Sequence, residues 1–128
     1  MMKRVTAIGG IFFKAQDPKS LKEWYREHLG IDAGDYGAMF GWRDADEPET
    51  EGYTLWSPFP QSTKYFEPST APFMINYRVR NLDRMLAQLR AAGVQVDEHI
   101  EEMEYGRFGW CMDPEGNRIE LWEPAEGH

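Results

Sequence analysis

Apolar and polar positions alternate along this chain with two periods, and the sequence of periods occurs twice. An apolar stretch over Val5 to Ala15 predicts a strand. It runs into a helix from Asp17 to about Leu29, with Asp17 as N-cap, Pro18 at the first helical position and Gly30 as the stop. Leu21, Trp24, Tyr25 and Leu29 fall on one face of that helix. The second half predicts a strand over Phe73 to Val79, then a helix capped by Asn81. Leu82, Met85, Leu86 and Leu89 form its apolar stripe, and Gly93 ends it. The letters repeat as well. Tyr36-Gly37 and Phe40-Gly41-Trp42 are answered by Tyr105-Gly106 and Phe108-Gly109-Trp110. Thr54-Leu55-Trp56-Ser57-Pro58 is answered by Glu120-Leu121-Trp122-Glu123-Pro124. Each half therefore predicts β-α-β-β-β, over residues 4–57 and 73–124. The joint, residues 58–72, carries Pro58, Pro60, Pro68 and Pro72. Its aromatics Phe59, Tyr65 and Phe66 serve either as anchors to the surface or as a lid.

Composition narrows the class of molecule. A chain of 128 residues, 41% hydrophobic and 14% aromatic, predicts one globular domain spanning 1–128. Its apolar runs are too short to span a bilayer, and no leader pattern is present, so a cytoplasmic location without a membrane partner is expected. The single cysteine, Cys111, fits a reducing compartment and reads as a small buried hydrophobe. A net charge of −8 argues against nucleic acid, whose binding is dominated by phosphate neutralisation. The acidic run of Asp44, Asp46, Glu47, Glu49 and Glu51 reads as a solvated loop, and it lacks the central glycine of a calcium-binding EF-hand.

Period-two alternation assigns strand residues to faces. Ile11, Phe13 and Ala15 fit the helix-facing side, as do Ile75, Tyr77, Val79, Ile119 and Leu121. That leaves Gly10, Phe12 and Lys14, then Met74, Asn76 and Arg78, then Glu120 and Trp122 on the other side. Thr54 and Trp56 join them as the repeat partners of Glu120 and Trp122. The expected fold is α+β, two tandem βαβββ modules forming a curved mixed sheet around a central cleft.

The stretch Asp113-Pro114-Glu115-Gly116-Asn117-Arg118-Ile119-Glu120-Leu121 resembles the last hairpin of the vicinal oxygen chelate superfamily. This is the fold of glyoxalase I, bleomycin-resistance proteins and extradiol dioxygenases. Ile11-Phe12-Phe13 to Asp17, Trp24-Tyr25 and Leu29-Gly30 extend the resemblance over nearly the whole chain. It implies a homodimer. It also implies that a metal, where the family has one, is held by one residue from the first and one from the last strand of each module. Those positions here are Gly10, Thr54, Met74 and Glu120, of which Glu120 alone is a good ligand for a catalytic divalent ion. His28 near a helix end, His99 after the second helix and His128 are not placed at ligand spacings. The expectation is no metal ligand set and no cofactor.

The cleft then offers Phe12, Trp56, Met74 and Trp122 as walls and Thr54, Asn76, Arg78 and Glu120 as polar points, a set suited to a small aromatic or cationic molecule. Trp56 and Trp122 are expected to face each other across it. Glu120 either pairs with Arg78 or, with a raised pKa, moves a proton. Three readings follow. The first is a metal-free binder of a small organic molecule in a Trp-lined cleft. The second is a glyoxalase-like lyase or isomerase, or a dioxygenase-related enzyme, with Glu120 as general base and Asn76 and Arg78 as the oxyanion set. The third is a non-catalytic interaction module whose cleft is filled by Phe59, Tyr65 or Phe66.

Overall fold

The computed structural model describes residues 5–128, so Arg4, at the expected start of the first module, lies outside the described residues. The chain order is β1 (Val5–Ala15), α1 (Pro18–Leu29), β2 (Ala38–Arg43), β3 (Glu51–Pro60), β4 (Phe73–Val79), α2 (Leu82–Ala91), β5 (Glu101–Met103), β6 (Gly106–Met112) and β7 (Arg118–Pro124). The strands form one mixed sheet in the order β2-β3-β1-β4-β7-β6-β5. The two halves meet where β1 runs antiparallel to β4, and each half contains one parallel pair, β1 with β3 and β4 with β7.

The helix boundaries follow from capping chemistry. The Asp17 carboxylate accepts from the Ser20 amide at 3.1 Å, and Pro18 occupies a position with no amide to satisfy. Gly30 closes α1 in the left-handed region (φ 71°), which glycine adopts without a Cβ clash. Asn81 caps α2 through the Arg84 amide at 3.0 Å, and the Glu123 carboxylate adds an acceptor for the Leu82 amide. Leu82, Met85 and Leu86 are buried against Val79, Cys111 and Leu121, each such side chain contributing roughly 1.5–3 kcal/mol over an exposed one. The stripe of α1 is less covered. No residue of that helix is buried, Trp24 and Leu29 are exposed, and Tyr25 reaches the sheet by its edge contact with Trp56.

The halves are not equal copies. The second has four strands, whereas the first has three, because residues 30–37 form only an isolated bridge between Gly34 and Gly37. The expected β-α-β-β-β pattern thus holds for the second half and loses one strand in the first. β3 also runs on to Pro60, into the stretch expected to be joint. Both helices cover the same face of the sheet, the face of Phe13, Tyr77, Val79 and Leu121. The opposite face has no helix. Its cover is the end of β3 and the connection after it: Phe59, Tyr65 and Phe66 pack with Phe12, Met74, Phe108, Trp110 and Trp122.

Candidate functional site

Pairing registers place five residues in one row across the helix-free face: Leu55 of β3, Gly10 of β1, Asn76 of β4, Glu120 of β7 and Trp110 of β6. Glu120 sits near the middle of this row and is 2% exposed. One carboxylate oxygen, Oε1, accepts from Asn76 Nδ2 at 2.7 Å. The other, Oε2, accepts from Trp110 Nε1 at 2.9 Å and from the hydroxyl of Tyr65. Burial pushes the Glu120 carboxyl above the ordinary carboxylate range, and these three donors pull against that shift without overcoming it. The Tyr65 phenol is pushed up by burial and then by the Glu120 charge, so it remains a donor across the physiological range.

Tyr65 is held on every side. Its ring stacks on Phe59 (5.8 Å between centroids, 17° between planes) and meets Trp110 edge-on at 90°. Arg118 lies 4.9 Å from the Trp110 ring and donates to the Tyr65 carbonyl. Phe66, with no exposed surface, packs on Phe59, with Lys14 Nζ 5.9 Å from its ring centre.

The next row holds Arg78, Trp122 and Phe108. Trp122 and Phe108 stack at 5.8 Å and 5°. The Arg78 guanidinium lies 4.7 Å from the Trp122 ring, 5.1 Å from Trp42 and 5.6 Å from Tyr53. It donates to a main-chain oxygen of His128, the last residue of the sequence, at 2.8 Å and to the carbonyl of Tyr53 at 3.3 Å. Arg78 is 7% exposed, and it forms no salt bridge among the described residues. Burial lowers its pKa from the ordinary arginine value. The pairing of Glu120 with Arg78 expected as one alternative is therefore not made.

Two adjacent glycines let the side chains of Asn76, Arg78, Trp122 and Phe12 pack closely over β1. The pairing of β1 with β4 slips between Ile8 and Gly10, a bulge that sends both Gly9 and Gly10 toward the helix-free face. A Cβ on Gly9 would stand 2.2 Å from Asn76 Oδ1, and one on Gly10 would stand 2.7 Å from the Phe12 ring. Asn76 Oδ1 has no hydrogen-bond partner among the described residues although the residue is 2% exposed.

Of the residues singled out from the sequence, Phe12, Met74, Asn76, Arg78, Glu120 and Trp122 share this face. Trp56 does not. It packs against Phe13 (5.3 Å) and Tyr25 of α1 (4.7 Å) on the helix-bearing side, so no Trp56–Trp122 sandwich exists. Thr54 is also outside the row. Its hydroxyl donates to the Ile8 carbonyl at 2.6 Å, accepts from Trp42 Nε1 at 3.0 Å, and lines a shallow recess of about 360 Å³ beside Asp44 and Asp46. The error is one of phase. Matching Leu55-Trp56 to Leu121-Trp122 by letter shifts β3 by an odd number of residues, and an odd slip exchanges the faces of a strand. Leu55 of β3 stands in the row with Glu120, and Tyr53 packs against Trp122. Three contributors were not assigned from the sequence: Tyr53, Tyr65 as partner of Glu120, and Trp110. The hairpin pairing of Trp110 with Glu120 was the available signal for the last.

The residues present do not fit a resident metal. Gly10, Leu55 and Asn76 stand in the row with Glu120, and no three His, Cys, Asp or Glu side chains cluster among the described residues. The O–H and N–H groups around Glu120 aim protons at both its oxygens, the surroundings of a carboxylate rather than of a shared cation.

A family profile described as Glyoxalase/Bleomycin resistance protein/Dioxygenase superfamily matches residues 8–121. No curated protein sequence matches the chain. Among solved structures, methylmalonyl-CoA epimerase from Mycobacterium tuberculosis superposes with a TM-score of 0.63 at 23% identity, covering 98% of this chain and 93% of that one. A Streptomyces coelicolor methylmalonyl-CoA epimerase variant in complex with 2-nitronate-propionyl-CoA gives 0.69 at 19% identity, with 95% and 96% covered. A Legionella pneumophila structure described as NAD-dependent benzaldehyde dehydrogenase gives 0.57 at 17%, with 88% and 96% covered. At these identities the likeness is one of fold.

Proposed function

The chain belongs to the Glyoxalase/Bleomycin resistance protein/Dioxygenase superfamily, and within it we propose a metal-free protein that binds a small aromatic molecule carrying a cationic or hydrogen-bond-donating group. The observation that carries this reading is the position of Tyr65. A flat ring lies between Phe59 and Trp110 with its one donor on a buried carboxylate that has no salt bridge among the described residues. That is the chemistry of an occupant, and a side chain of the 58–72 connection supplies it. A ligand with the same features and a positive charge satisfies Glu120 better than a phenol does, because a buried carboxylate gains most from a charged partner. The connection acts as an exchangeable cover, released when Tyr65 gives way. Arg118, by holding the Tyr65 carbonyl, sets how firmly the cover is seated.

The general-base reading is weaker on geometry. Asn76 Nδ2 is spent on Glu120 itself and Arg78 is turned to the far row, so neither stands ready for an oxyanion. The third reading, an interaction module with a filled cleft, is favoured by the burial of Phe66 and Tyr65 and shares the same starting state. No helix among the described residues is long and apolar enough to cross a membrane. We propose a cytoplasmic homodimer, as the resemblance implies, with the buried thiol of Cys111 suited to a reducing compartment.

Calorimetric titration with benzylamine separates the binder from the filled module. Wild type is expected to give saturable heat, and Glu120→Gln to weaken the affinity by about tenfold or more. Absence of saturable binding to both wild type and Tyr65→Phe would leave the filled module as the function.

A further inference from the structure

The slot that holds the Tyr65 ring has a polar group of the protein at each end, Glu120 at the hydroxyl and Arg118 at the carbonyl. From this we infer that the occupant carries, opposite its donor, a short chain ending in a neutral carbonyl (an amide or an ester) that Arg118 holds. This rests on the binding reading above and specifies its ligand class.

Tyr65 makes most of the polar attachment of the connection. Over residues 61–72 the other hydrogen bonds are local turns. The amides of Thr63, Glu67 and Ser69 donate to the carbonyls of Pro60, Lys64 and Phe66, and those of Tyr65 and Ala71 donate to the hydroxyls of Thr63 and Ser69. Among the described residues, one backbone bond ties the connection to the sheet, from the Lys14 amide to the Pro72 carbonyl at 2.8 Å, where β4 begins. The remaining ties belong to Tyr65: its hydroxyl donates to Glu120, and its carbonyl accepts from Arg118.

Arg118 is therefore as much a part of the slot as Glu120. Its side chain is 12% exposed, and its guanidinium lies 4.9 Å from the Trp110 ring and 5.9 Å from that of Tyr65. Nη2 pairs with Asp97 at 3.4 Å, and Nη1 donates to the Tyr65 carbonyl. When Tyr65 leaves, Glu120 Oε2 loses a donor and Arg118 Nη1 loses its acceptor. A molecule that answers one end alone leaves the other without a partner, and an unsatisfied group in a covered site costs more than the bond it replaces contributed. A molecule that answers both reproduces the whole exchange.

Charge selects the kind of acceptor. Asp97 already compensates Arg118, Glu120 stands at the far end of the ring, and Glu101 adds to the upward push on the Tyr65 phenol. A carboxylate beside Arg118 would join three acids, whereas a neutral carbonyl accepts the same N–H without repulsion. Tyr65 also sets the length: its Cβ and Cα atoms separate ring and carbonyl, which is the frame of a 3-arylpropanamide.

The probes are 3-(4-hydroxyphenyl)propanamide, 4-ethylphenol, which lacks its carbonyl, and 3-(4-hydroxyphenyl)propanoate, titrated calorimetrically into wild type, Tyr65→Ala, Arg118→Met and Arg118→Lys. Wild type is expected to bind the amide about tenfold or more tightly than 4-ethylphenol, with the propanoate weaker than the amide. Tyr65→Ala is expected to tighten the amide and 4-ethylphenol together and keep their ratio, because the fraction of open molecules scales both affinities alike. Arg118→Met is expected to bring that ratio to about one, and Arg118→Lys to retain part of it. Equal affinity of wild type for the amide and 4-ethylphenol overturns the carbonyl end and leaves the aromatic binder standing. A propanoate tighter than the amide overturns the neutral class. Failure of wild type and Tyr65→Ala to bind any of the three overturns this inference alone where benzylamine still binds, and the binding reading with it where benzylamine does not. The wild-type comparison needs no variant to fold.

Discussion

Glu120 shows how far a single residue can be read in advance. Its residue type and its place on an alternating strand mark it as a buried acid facing aromatic walls. Its partners are less legible, because Tyr65 comes from a connection without periodicity, where tertiary contacts alone decide which way a side chain points. The raised pKa has a consequence with a definite sign. Below the ordinary carboxylate range both folded and unfolded chains hold the proton. As pH rises the unfolded chain releases it first, so the folded state loses stability until Glu120 itself ionises. Glu120→Gln removes that slope. The melting temperature of the variant is expected to climb relative to wild type as pH rises above about 4. Thermal melts across that range check it, and a constant difference would show that burial does not control this carboxyl.

At the scale of elements, the helices and most strands are written in local chemistry. Asp17, Pro18, Gly30 and Asn81 stand where the caps form, and the apolar stripe of α2 is the one that the sheet buries. The phase of β3 is not written there. Its face is fixed by its parallel register with β1, which sets Gly10 against Leu55 and Ile11 against Trp56. A pattern of letters cannot report that register. The missing strand of the first half has a similar cause, since a ladder needs a partner and residues 30–37 find one bridge only. The bulge in β1 is also a matter of pairing, and it makes Gly9 intolerant. Gly9→Ala is expected to lower stability by about 1–3 kcal/mol, because its methyl group must displace Asn76 or the stem of Arg78. Urea denaturation measures this, and an unchanged midpoint would mean that the strand absorbs the methyl group.

For the whole molecule, the α+β class and the doubled plan are legible because the repeat constrains every element at once. The function is not, because the fold hosts unrelated chemistries and the deciding residues lie in the least regular segment. The donor set around Glu120 predicts that folding is independent of divalent ions. Protein treated with a chelator is expected to melt at the same temperature as untreated protein, and elemental analysis is expected to find less than about a tenth of an equivalent of metal. One tightly held equivalent, with a lowered melting temperature after its removal, would contradict the assignment. The seating of Tyr65 has a further consequence, in time rather than affinity. On the binding function proposed above, a ligand would reach Glu120 only in molecules whose cover has swung clear, so apparent affinity would be scaled by that fraction. Association would then cease to follow concentration and level off at the rate at which the cover opens. A site built this way would answer to a sustained supply of its ligand and filter out brief pulses.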